Sequence, residues 1–172
     1  MYKKICLFIF SMILFSCNNE KEIYNENLDN FKALIYDINT YFNDSISNDL
    51  QISDYYTDDF VFYSYPVGYR KGIETPKKDY IHNFRQMKEM NMSISIVHSI
   101  YLPGINEHSH EVDGSVRVYY GAIISIDTNS VEFSGYQTVD FKKGKIAAIW
   151  EWADYGGVSS QIDFFSRLIY FK

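Results

Sequence analysis

The stretch VRVYYGAIISIDTNSVEFSGYQTVDFKKGKIAAIWEW, residues 116–152, decides the fold. Its apolar residues recur at period two, the mark of strands that bury one face. Lys143-Gly144, between Phe141 and Ile146, reads as a two-residue hairpin turn, because Gly tolerates the positive φ that primed turns require. That turn predicts Phe141 opposite Ile146, Val139 opposite Ala148, Gln137 opposite Trp150, Gly135 opposite Trp152 and Phe133 opposite Asp154. A second turn, at Thr128-Asn129, sets Ile124 opposite Phe133, Ala122 opposite Gly135 and Tyr120 opposite Gln137. The two turns assign the same residues to one face, which a one-residue slip in either would destroy. The buried face expected from this register holds Val116, Val118, Tyr120, Ala122, Ile124 and Ile126 with Val131, Phe133, Val139, Phe141, Ile146, Ala148, Trp150 and Trp152. Arg117, Tyr119, Glu132, Ser134, Tyr136, Thr138, Asp140 and Glu151 fall on the other face. Upstream, Ile94, Ile96, His98, Ile100 and Leu102 alternate with serines and add another strand to the buried side.

Two helices precede these strands. Leu28, Phe31, Ile35, Ile38 and Phe42 are spaced 3, 4, 3, 4, one apolar stripe on a helix. Asp49 to Asp59 reads as a short helical or turn segment, followed by a first strand at Phe60 to Tyr63. Thr75-Pro76 supplies an N-cap and a first-turn proline, and Tyr80, Phe84 and Met87 share one face of the helix that runs to about Met90. Helices packed on one side of an antiparallel sheet make an α+β domain.

The whole chain has 172 residues, 47% of them hydrophobic and 18% aromatic, enough for one substantial core. Its net charge of −6 lacks the basic excess that a phosphate backbone rewards, which argues against nucleic acid as a partner. Residues 1–16 carry Lys3 and Lys4, then an apolar run of eleven from Ile5 to Phe15, then Ser16-Cys17, the layout of a secretory signal. A membrane-spanning helix needs about 20 apolar residues, more than this run holds. Leu14-Phe15-Ser16-Cys17 resembles a bacterial lipoprotein lipobox, which implies cleavage before Cys17, lipid on that residue and a place in the cell envelope. Cys6 would leave with the signal, so no thiol pair would remain for a disulfide or a cysteine-ligated metal. Residues 17–27, polar and without strong periodicity, suit a tether, and the domain is expected over 28–172.

Tyr56-Thr57-Asp58-Asp59-Phe60, Gly72 ahead of the second helix, and the closing set Phe141, Gly144, Lys145, Ile146, Trp150, Asp154, Gly157 and Gln161 resemble the nuclear-transport-factor-2-like (NTF2-like) superfamily, in its SnoaL-like branch. The resemblance implies a cone, a curved antiparallel sheet wrapped with helices around a pocket. It also implies a pocket carboxylate at Asp154, which serves some cyclase and hydrolase relatives as acid or base. The cyclase-like relatives commonly carry a His five residues earlier, where this chain has Ile149.

The candidate ligand-binding residues are the polar groups expected on the apolar face: His98, Tyr120, Gln137 and Asp154, with the indoles of Trp150 and Trp152. Buried polar groups are costly unless paired, so either a ligand or one another must satisfy them. For Asp154, an acid–base role and a turn-stabilising role ahead of Tyr155-Gly156-Gly157 both stay open. His108-Ser109-His110 reads as a solvated loop, so neither a metal nor an organic cofactor is expected. Small-molecule binding at the membrane is the leading expectation. Isomerase, cyclase or hydrolase chemistry with Asp154 as general base is the rival. A third reading is a homodimerising scaffold that uses the outer sheet face or the apolar tail of Phe164, Phe165, Leu168, Ile169, Tyr170 and Phe171.

Overall fold

The structure is a computed structural model. It describes the backbone of residues 2–44 and 50–170 and the side chains of residues 20–44 and 50–163. Cys17, Asp49 and the tail residues from Phe164 onward carry expectations that lie outside the described side chains.

Helix α1 spans Tyr2–Asn43, and a 3₁₀ turn at Ser53–Tyr55 leads into β1, Tyr56–Ser64. Strand β2, Ile73–Pro76, precedes helix α2, Lys77–Glu89. Three long strands follow: β3, Met92–Ile105; β4, Val112–Ile126; and β5, Asn129–Lys142. Strand β6, Lys145–Ala153, and helix α3, Tyr155–Tyr170, complete the chain. The six strands form one sheet in the order β2-β1-β6-β5-β4-β3, antiparallel except for β1 beside β6. Among the described residues, no helix is long and apolar enough to cross a membrane.

The apolar stripe expected on α1 forms with its centre displaced: Phe31 and Ile38 are buried, Leu28, Ile35 and Phe42 are partly buried at its edge, and Leu34 and Tyr41 join its centre. Phe31, Leu34, Ile38 and Tyr41 are buried on the sheet, in one core with Val116, Val118, Tyr120, Val139 and Ile149. The helix does not wait for Leu28, however. Residues 20–27, expected to be tether, are helical, because Tyr24 packs on the core and the buried Asn27 Nδ2 donates to the Gly114 carbonyl at 2.8 Å. At α2, Pro76 ends β2 and occupies the cap position, so the helix starts one residue later than the Thr75-Pro76 reading expects.

The hairpin at Lys143-Gly144 forms as expected, with φ of 54° and 75° at its two residues and Phe141 opposite Ile146. The β4–β5 turn sits one residue earlier than expected. It is closed by Ile126 and Asn129, and Asp127 takes the positive φ of 51°. The resulting shift is two residues, an even number, so every inward side chain of β4 and β5 stays inward.

Strand β6 departs from the expected register. After Phe141↔Ile146 the next pair is Asp140↔Ala148, which leaves Ala147 as an extra residue. One extra residue reverses the faces that follow. Ile149, Glu151 and Ala153 therefore point inward, while Trp150 and Trp152 point outward. There each indole stacks on a ring from β1 or its extension, Trp150 on Tyr63 at 5.4 Å and Trp152, still exposed, on Tyr65 at 4.7 Å.

A second bulge falls in β3. Ile96 pairs with Ala122, but His98 pairs with Gly121, leaving Val97 unmatched. Beyond it His98, Ile100 and Leu102 turn to the outer face and are exposed, contrary to the strict alternation expected of them. The bulge is held from the helix side. Asn39 of α1 donates to the Ile96 carbonyl at 3.0 Å and accepts from the Ile96 amide at 2.9 Å.

Candidate functional site

Between the inner face of the sheet and the three helices lies a cavity of 340 Å³. Helix α1 contributes Phe31, Leu34, Ile35 and Ile38, and α2 contributes Tyr80, Phe84 and Met87, the face its spacing predicts. Strands β1 and β3 to β5 add Phe62, Ile94, Ile96, Ile124 and Phe133, and α3 adds Val158 and Ile162. The wall is hydrocarbon and aromatic with a few convergent polar groups, the usual make-up of a small-molecule site.

Those polar groups gather on Glu151, placed inward by the Ala147 bulge. The Tyr120 hydroxyl donates to Glu151 Oε2 at 2.8 Å, and the Gln137 amide nitrogen donates to the same oxygen. The Tyr155 hydroxyl donates to Oε1 at 2.5 Å. Among the described residues lining the cavity, Glu151 is the single charged side chain. The strands set this arrangement: Tyr120 lies opposite Gly135, whose missing side chain makes room for the ring, and Gln137 lies directly opposite Glu151.

Burial first, and the negative charge of Glu151 second, hold the hydroxyls of Tyr80, Tyr120 and Tyr155 well above the ordinary tyrosine value of 10.0. The folded protein thus keeps protons that the unfolded chain gives up. Below pH 10 both states are protonated and these groups leave stability level; above it the unfolded chain binds fewer protons, so stability falls as pH rises. The urea midpoint should hold steady from about pH 7 to about pH 9 and drop beyond about pH 10, with a shallower drop in Tyr120→Phe. A midpoint that rises through that range would contradict the arrangement.

Of the six residues singled out in the sequence, Tyr120 and Gln137 line the cavity, and both reach Glu151. The other four do not line the cavity. His98 is exposed on the outer face beside Gly121, and Trp150 and Trp152 lie on the outer aromatic layer, each because of the bulge before it. Asp154 is exposed just past β6, where its Oδ1 accepts from the Gly157 amide at 2.8 Å and caps α3. A Cβ on Gly157 would collide with that carboxylate, so the glycine is part of the cap. This is the contact that the turn-stabilising reading of Asp154 calls for. His108, 3.3 Å from Glu107, sits on the exposed β3–β4 loop, and no group of three metal-ligating side chains occurs among the described residues.

Tyr80 lines the cavity on the helix face its spacing predicts, whereas Glu151, expected on the outer face, points inward, and Tyr155 is a cavity residue that strand alternation does not reach. One signal could have found Glu151: Ile146 and Ile149 are three apart, a spacing that cannot put both on one face of a regular strand, and two alanines lie between them.

The fold has counterparts among solved structures. An NTF2-like protein from Anabaena variabilis matches with a TM-score of 0.54 at 17% identity, over 77% of this chain and 92% of that one. An epoxide hydrolase from M. tuberculosis, described as LEH-like, matches with a TM-score of 0.55 at 14% identity, over 86% and 98%. A phenazine biosynthesis-related protein from Pseudomonas aeruginosa matches with a TM-score of 0.56 at 11% identity, over 80% and 84%. No protein-family model matches the chain. No curated protein matches its sequence either. At these identities the likeness establishes the fold: an α+β, NTF2-like cone, a curved sheet packed against helices.

Proposed function

We propose that this domain binds a small, largely apolar molecule in the cavity, held by a hydrogen bond to Glu151, and that lipid on Cys17 keeps it at the bacterial cell envelope. The observation that carries the first part is that Glu151, oriented by three donors, is the single charged side chain among the described residues lining a mainly apolar space of 340 Å³. A core with no ligand to hold would gain by filling that space, since packed interiors leave few voids larger than a water molecule. N-phenyl-1-naphthylamine, a neutral probe that brightens in apolar surroundings, should bind saturably. Ala153→Phe should fill the cavity and remove that binding while the melting temperature holds. An absence of saturable binding to the parent protein, or equal binding to the variant, would count against the proposal.

The acid–base alternative moves with the geometry from Asp154 to Glu151, where the tightly held protons of Tyr120 and Tyr155 could support a developing negative charge. Binding is preferred because those hydroxyls and Gln137 already occupy most of the lone pairs of the carboxylate.

Support for the anchor comes from the sequence of residues 1–17 alone. Expressed in a bacterial host with labelled palmitate, the chain should carry the label and sediment with membranes. Cys17→Ser should lose the label and shift toward the soluble fraction. A labelled Cys17→Ser chain, or an unlabelled parent, would remove the lipid from the proposal.

A further inference from the structure

We infer that the molecule held in the cavity is a hydrophobic amine, bound as its ammonium ion. The inference rests on the cavity reading above and adds the charge of the occupant. Charge balance carries it. Tyr120, Tyr155 and Gln137 orient the Glu151 carboxylate, but all three are neutral donors and leave its charge uncompensated. Among the described residues lining the cavity there is no Lys, Arg or His. A partly buried carboxylate without a counter-charge is costly, and a cation supplied by the ligand offsets that cost.

The donor count points the same way. A carboxylate offers about four lone-pair sites. Tyr120 and Gln137 occupy Oε2 and Tyr155 takes one site on Oε1, so one site on Oε1 is left for a ligand N–H. The rings of Phe62, Phe84 and Phe133 line the same space, and aromatic rings attract a desolvated cation. An anionic ligand would meet Glu151 with no balancing charge. A neutral alcohol could use the free lone pair and would leave the charge as it was.

Three probes share one hydrocarbon body: 1-aminoadamantane, 1-adamantanol and 1-adamantanecarboxylate. Calorimetric titration into the full chain at neutral pH should find the amine tightest, by about tenfold or more over the alcohol, because both can donate to the carboxylate but only the ammonium also supplies the opposite charge. The carboxylate should not bind. In Glu151→Gln the advantage of the amine over the alcohol should vanish, and an advantage that persists there would overturn the inference. The comparison on the parent protein stands alone if that variant fails to fold. Equal or tighter binding of the alcohol or the carboxylate would overturn the inference and leave the cavity reading in place. Binding of none of the three would sink both.

Discussion

Ile149→Asp should leave the chain unfolded at room temperature, whereas Trp152→Ala should cost only about 1–2 kcal/mol. Ile149 is 1% exposed and sits between Val139 on β5 and Phe62 on β1. A carboxylate there would have no cation within the described core to pair with. Burying it would take several kcal/mol, against a total stability of about 5–15 kcal/mol for a small domain. Trp152 is 42% exposed, and its main loss would be the stacking on Tyr65. The pair of variants tests the bulge directly, since a regular β6 would bury Trp152 and turn Ile149 to solvent. Circular dichroism and urea melts would read both, and a folded Ile149→Asp beside an unfolded Trp152→Ala would require the unbulged register.

Gly135→Ala should damage the site more than the size of a methyl group suggests. Its Cβ would stand 2.7 Å from Tyr120 Cε1, and closer still to Cζ and the hydroxyl. The Tyr120 ring is 6% exposed and meets Phe133 edge-on at 6.1 Å, so it has little room to yield without leaving Glu151. Overpacking of this kind costs about 1–3 kcal/mol. Loss of the Tyr120–Glu151 bond should also lower amine affinity about tenfold, as expected for a hydrogen bond to a charged group. Adding Tyr120→Leu to Gly135→Ala relieves the clash, so the double variant should be more stable than the sum of the single changes predicts. Strict additivity in a urea-melt cycle would mean that the two residues do not touch.

Both expectations turn on how much of the molecule local pattern can specify. The stripe on α1, the cavity face of α2, the Lys143-Gly144 turn and the inward faces of β4 and β5 are all period-based features, and each side chain follows from its neighbours in the chain. The β4–β5 turn lies one residue before the Thr128-Asn129 signal, and this leaves the faces unchanged because the pairing moves by two. Tyr120 and Gln137 were therefore legible as cavity residues. His98, Trp150 and Trp152 were not, since each lies beyond a bulge, and a bulge reverses faces without altering the composition that alternation is read from.

The amino-acid order was sufficient for the α+β class, for the helical stripes and for most of the sheet, because hydrophobic periodicity and turn chemistry act over a few residues. Which carboxylate enters the cavity was settled by contacts distant in the chain. Parallel pairing of β1 with β6, the stacking of Tyr63 and Tyr65 on the two indoles, and the grip of Asn39 on Ile96 accompany the two bulges. Asp154 and Glu151 are three residues apart, and a single extra residue in β6 separates a helix cap from the charged floor of the cavity.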